Sequence, residues 1–75
     1  MKFAIILVLG FYYHGIPQTT ELMYPVQYNS MEECMEYKTN PSEKHQKWLM
    51  EHVKRYAEAG YQPSIALSHV ECRKI

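Results

Sequence analysis

Two cysteines and four histidines are the side chains best suited to chemistry in this 75-residue chain. A cysteine beside a histidine makes a nucleophile, because only the thiolate attacks and the imidazole takes its proton. Cys34 falls one turn into a helix that begins near Ser30, where the helix dipole lowers a thiol's pKa. Nothing in the sequence places a histidine beside it, and no glycine loop offers amides for an oxyanion. A metal site from these thiols and imidazoles lacks the CxxC or close His pairing that zinc uses. His45 and His52 stand two helical turns apart, too far to chelate one ion by themselves. His52, among Trp48, Leu49 and Tyr56, reads as a packing histidine. There is no phosphate loop, dinucleotide fingerprint or paired-carboxylate cleft. With three glycines, the chain is short of active-site loop material. These residues point away from an enzyme and call for no cofactor and no metal.

What remains for Cys34 and Cys72 is each other. Cys72 lies near the end of the last strand, on the side expected to face the helices, so the two can meet. A bridge closing a loop of that length contributes roughly 4 kcal/mol in the chain-entropy model. Two reduced cysteines in a small core are the alternative, and both readings stand at this point.

The elements that must position these residues begin with MKFAIILVLGF. A membrane helix needs about 20 apolar residues, and this run stops at Phe11. It reads as a retained strand, the centre of the sheet, because continuous apolar runs belong to strands buried on both faces. The alternative is a secretion signal, with Lys2 as its positive start, Phe3 to Leu9 as its apolar core and Val8-Leu9-Gly10 as a cleavage site. In a strand, side chains alternate. Phe3, Ile5, Leu7, Leu9 and Phe11 then make a large row, and Ala4, Ile6, Val8 and Gly10 a small one. Small residues let helices sit close, so the helices are expected on the Ala4 face.

Gly15-Ile16-Pro17 predicts a turn in a loose connecting loop. Leu22, Tyr24, Val26 and Tyr28 alternate with Glu21, Met23, Pro25 and Gln27 as in a strand with one wet face, and Pro25 makes this an edge strand. Ser30 and Glu33 form a capping box that starts a helix with Met31, Cys34 and Met35 on one face. That helix breaks near Asn40, and Asn40-Pro41 predicts a second start, unless a single kinked helix continues. The second helix runs to about Ala59, with Gly60 as its stop and Trp48, Leu49, Val53, Tyr56 and Ala57 as its apolar stripe. The last strand is expected over Ser64 to Lys74, with Ala66, Ser68, Val70 and Cys72 on the helix side. The fold class is α+β: one domain over residues 1–75, ββααβ, with a three-stranded antiparallel-type sheet, the first strand central, and a helix pair or kinked helix on one face. Phe3, Ile5, Leu7, Leu9, Phe11, Ile65 and Leu67 would then form an exposed apolar surface of a size rarely left bare on a monomer. Self-association through that face is the functional expectation.

Composition narrows the partners. Net charge is zero with a pI near 6.9, which argues against a phosphate-tracking surface and nucleic acid. Hydrophobic content of 47% excludes general disorder. Seven Tyr, five Met and one Trp suit an adaptable interface as well as a small core.

In YNSMEECMEY and the ending SHVECRKI the chain resembles small uncharacterised proteins of tailed phages, marine ones especially. The matching positions are Pro25, Tyr28, Ser30, Cys34, Val70 and Cys72. The longer, more charged second helix around SEKHQKWLMEHVKRY departs from that pattern. The resemblance implies a viral accessory role and no particular activity.

The expectation is therefore a non-enzymatic phage-type accessory protein in the host cytoplasm. It would bind stoichiometrically as a homodimer or small oligomer, with itself or a host protein as partner and without nucleic acid or membrane. Two other classes are an oligomeric binder of a nucleotide messenger and an exported, disulfide-stapled protein, the latter if Met1 to Gly10 acts as a signal. Tyr12, Tyr13, Trp48, Arg55 and Tyr61 are the candidate ligand or partner surface.

Overall fold

The computed structural model describes residues 1–75. Strand β1 (Phe3–Tyr13) turns directly into β2 (Ile16–Tyr28). Helices α1 (Met31–Thr39) and α2 (Glu43–Glu58) follow, then β3 (Gln62–Pro63), a 3₁₀ turn (Ile65–Leu67) and β4 (His69–Lys74). The fold is α+β in the order ββααβ. β1 lies at the centre of an antiparallel sheet, with β2 on one edge and β3 and β4 end to end along the other. No helix is long and apolar enough to cross a membrane.

Local chemistry accounts for most of these boundaries. The hairpin is tighter than the expected loose loop. His14 (φ 52°) and Gly15 (φ 78°) both take positive φ between the paired Tyr13 and Ile16. That is the geometry of a two-residue turn matching strand twist. The register of β1 with β2 shifts between Ala4 and Ile6, so β2 bulges opposite Ile5, around Pro25. Ser30 caps α1, its hydroxyl accepting from the Glu33 amide at 3.1 Å. The cap of α2 is Ser42 rather than Asn40, its hydroxyl accepting from the His45 amide at 3.1 Å. Pro41 thus precedes the second helix instead of opening it. Gly60 (φ 94°) closes the chain's exit from α2.

The helices pack on the face opposite to the one expected. Ile5 pairs with Cys72, and the core joins Ile5, Tyr24, Tyr28 and Cys34 with Phe3, Val26, Trp48, Val70 and Cys72 against it. At the other end of the sheet, Phe11 meets Tyr56 of α2, ring centres 5.5 Å apart. The large row is therefore the covered row. Phe3 is partly buried, and Ile5, Leu7, Leu9 and Phe11 are buried within the chain. Area favours this arrangement: the apolar face of α2 and the bridged face of α1 gain most against the larger apolar row, so volume decides over close approach.

Ala4, Ile6 and Val8 face the other way, yet are only 0%, 3% and 8% exposed. They form a separate small cluster. Long side chains from the two edge strands cover them. Glu21 stands beside Val8 on β2, and Arg73 beside Ala4 and Glu71 beside Ile6 on β4. Arg73 Nη1 and Nη2 each donate to a Glu21 carboxylate oxygen at 2.8 Å, and Nη2 also to Glu71 Oε1 at 2.7 Å. This strap crosses the central strand, and short side chains beneath leave room for it.

The expected strand Ser64–Lys74 is interrupted. Between β3 and β4 the chain lifts into the 3₁₀ turn, stitched to β1 by Ser64 N–H donating to Gly10 O (2.9 Å) and Gly10 N–H donating to Ser68 Oγ (2.8 Å). A Cβ on Gly10 would collide with the Cβ, carbonyl carbon and oxygen of Leu67, so only glycine permits this approach. Leu67 accordingly sits over Gly10, and Ile65 does not join the Phe3 row.

Candidate functional site

The two sulfurs meet. Cys34 and Cys72 form a disulfide across 38 positions, with Cα atoms 6.1 Å apart, and no cysteine is free. Ser30 sets the start of α1, which puts Cys34 one turn in and facing the sheet. Strand alternation puts Cys72 on the same side as its neighbour Val70. Met31 and Met35, expected beside Cys34, are exposed. The histidines stay dispersed: His14 at the hairpin tip, His69 on β4 and His45 and His52 on α2. No group of three or more His, Cys, Asp or Glu is placed to hold a metal ion.

The apolar stripe of α2 is His45, Trp48, Leu49, His52 and Tyr56, rotated from the expected one. Val53 and Ala57 lie at or beyond its exposed edge. Two aromatic groups pin the helix at its ends. His45 stacks on Tyr24 at 4.3 Å, Trp48 stands edge-on to Tyr24 at 5.2 Å, and His52 packs on Trp48 at 4.4 Å. Toward the C-terminal end, Tyr61 contacts Phe11 and Tyr13, each at 5.0 Å, and Tyr56 at 5.4 Å.

Of the five residues expected as one ligand surface, only Tyr13 and Tyr61 come together. Trp48 belongs to the group at the other end of α2. Alternation along β1 turns Tyr12 toward the face of Ala4, Ile6 and Val8. Arg55 is exposed on α2 in the last turn.

Between these aromatic ends the helix leaves a cleft of about 400 Å³, lined mainly by apolar atoms. Leu7 and Leu9 form its floor, Val53 one wall, and Pro63, Ile65 and Val70 the other. Ile65 stands at its lip and is 95% exposed. A wider hollow of about 590 Å³ runs along Glu43, Lys44, Gln46, Lys47 and Met50, a solvated crease on the outer side of α2.

Reasoning from residue types missed two features. The first is the break at the 3₁₀ turn, for which Ser64 and Ser68 flanking three apolar residues were the available signal. The second is His45, which is 2% exposed with both ring nitrogens unpartnered. Its spacing to Trp48, Leu49, His52 and Tyr56 was the signal there. Burial pushes its pKa below the usual 6.5.

The class defined by these features is a disulfide-stapled α+β domain with one apolar cleft beside its longer helix. No family model, curated protein or solved structure matches the chain.

Proposed function

We propose that this protein acts by stoichiometric binding, without catalysis, as a homo-oligomer that uses the cleft beside α2. The observation that carries this reading is Ile65, almost fully exposed on the lip of an apolar cleft. A two-fold pairing would seat the Ile65 of each subunit in the cleft of the other, since an isologous interface needs a knob and its hole on one patch. This narrows the contact from the whole Phe3 row to the cleft, because that row is already buried within the chain and only Leu7 and Leu9 of it line the cleft floor. A viral accessory role of the kind implied by the phage resemblance fits such a protein, and the same cleft would serve against a host factor.

The disulfide favours a second reading, a stapled protein of an oxidising compartment, because such bridges are rare where glutathione keeps thiols reduced. Loss of Met1 to Gly10 would remove most of β1, to which every other strand is paired.

Sedimentation of the wild type and of Ile65→Asp tests the proposal. The wild type should associate at tens of micromolar, and the variant should stay folded and run as a monomer. A monomeric wild type, or an associating Ile65→Asp, overturns the assignment.

A further inference from the structure

The two helices are held to the sheet by different means. α1 is tied covalently through Cys34 to Cys72. The hydrogen bonds and ion pair of α2 are all within itself or with the linkers at its ends: Ser42 and Pro41 before it, Gly60 and Tyr61 after it, and Lys54–Glu58 along it. Between its short linkers to α1 and β3, packing alone keeps α2 on the sheet. The most buried side chain of that packing is an imidazole rather than a hydrocarbon, and neither nitrogen has an acceptor or donor within reach.

A proton on His45 is poorly received from every side. β2 presents Tyr24, stacked on the ring. α2 presents Trp48, with His52 beyond it. In sequence the ring is flanked by Glu43 and Lys44, whose side chains are exposed. On the α1 side the ionisable groups are Glu33 and Tyr37, which line a crevice with Tyr24, Tyr28 and Ser42. β1 and β4 contribute Ile5, Val70 and the disulfide to the core on which Trp48 packs. No carboxylate is bonded to the ring. His45 also sits in the first turn of α2, where the helix dipole already places positive charge. The π face of Tyr24 offsets part of the cost of a cation, but both N–H groups would be buried without acceptors.

We propose that α2 is an acid-released lid. When His45 takes up a proton, α2 leaves Tyr24 and uncovers Leu7 and Leu9, while α1 stays bound through the Cys34–Cys72 bridge. The device rests on the burial of His45 and not on the oligomer reading. Because Val53 of α2 is a wall of the cleft, an occupant there would oppose opening, so exchange is read at concentrations where sedimentation shows a monomer.

Site-resolved amide hydrogen exchange of the full-length oxidised protein tests it, with rates corrected for the intrinsic effect of pH. One extra proton bound in the open form raises the opening constant as pH falls below the ordinary histidine value of 6.5. Between about pH 7 and about pH 5, opening of α2 should increase on the order of tenfold, while β1 and α1 stay protected. The increase should vanish in His45→Gln and in His45→Phe and persist in His52→Gln. Equal loss of protection over the whole chain would overturn the lid, as would unchanged protection of α2. An acid response retained in the folded His45 variants, or abolished by His52→Gln, would overturn the role of His45. If His45→Phe does not fold, His45→Gln alone decides.

Discussion

Breaking the bridge between Cys34 and Cys72 is the perturbation whose size follows most directly from the structure. The two residues are 38 positions apart. In the chain-entropy model, a loop that long restricts the unfolded chain by about 13 cal/mol/K, or about 4 kcal/mol at 25 °C. Reduction in place leaves two thiols that must move apart within a core where Cys34 is fully enclosed, so any strain in the native state adds to the loss. The calculated part of the effect falls on the unfolded state. A domain of 75 residues has a total stability of about 4–11 kcal/mol, so the bridge accounts for a large share of it. Its unfolding entropy near the melting temperature is about 0.16 kcal/mol/K, which converts the loss into a fall in Tm of about 25 °C.

Calorimetry of the oxidised protein, and of the same sample under a phosphine reductant, measures that fall. Intact mass, lower by two hydrogen atoms in the oxidised form, verifies the starting state. A paired Cys34→Ala and Cys72→Ala variant should melt close to the reduced protein. Cys34→Ser alone should melt lower still, because it leaves a hydroxyl in an enclosed apolar site. If oxidised and reduced forms melt within about 5 °C of each other, the tether does not govern stability and the loop calculation fails.

Two further substitutions examine the sheet. Gly10→Ala sets a methyl group against the backbone of Leu67 as well as its Cβ; overpacking together with loss of the Ser64 and Ser68 hydrogen bonds should cost about 2–5 kcal/mol in urea unfolding. Adding Leu67→Ala should not rescue it, since the carbonyl contact remains, and a neutral Gly10→Ala would mean the 3₁₀ turn is not seated on β1. The hydrogen bond from Arg73 holds the Glu21 carboxyl below its usual 4.5. A lowered carboxyl pKa stabilises the fold above the unfolded value, and that part is lost as pH falls through the folded value. Urea midpoints should therefore drop more steeply below pH 4.5 in the wild type than in Glu21→Gln; equal slopes would remove the strap's role.

The central strand was legible because an unbroken apolar run bounded by turn residues has few other uses in so short a chain. The α1 cap was legible because Ser30 and Glu33 carry a local signal independent of the rest of the fold. That Cys34 and Cys72 can meet was legible from placing both on the helix side. A bridge and two reduced thiols remained equally open on the residues alone, and only the structure joins them. The face of β1 that the helices cover was not legible. It depends on which row has another way of being shielded from water, and that is set by the β1–β2 and β1–β4 registers. Once Arg73 and Glu71 stand on one edge and Glu21 on the other, a layer of long side chains closes over Ala4, Ile6 and Val8. The large row has no such cover and takes the helices. Ile65 was misplaced for a related reason. Alternation over Ser64 to Lys74 is the pattern of a strand, but the hydroxyl of Ser68 takes a place in the hydrogen bonding of β1, letting three residues leave the ladder without stranding the Gly10 amide.

These placements divide the stability of the molecule unevenly. The bridge restricts the unfolded chain between residues 34 and 72, and because the domain unfolds as one unit around β1, reduction should lower the stability of every element together. His45 acts where α2 meets Tyr24, and no hydrogen bond joins its ring to α1 or to the strap. Glu21 belongs to the opposite face, and its contribution is lost only below the ordinary carboxylate value of 4.5, whereas opening at His45 rises below 6.5. Mild acid therefore addresses one helix, stronger acid the opposite face, and a reductant the entire domain. That separation follows from which groups are buried, which are paired and which are tied.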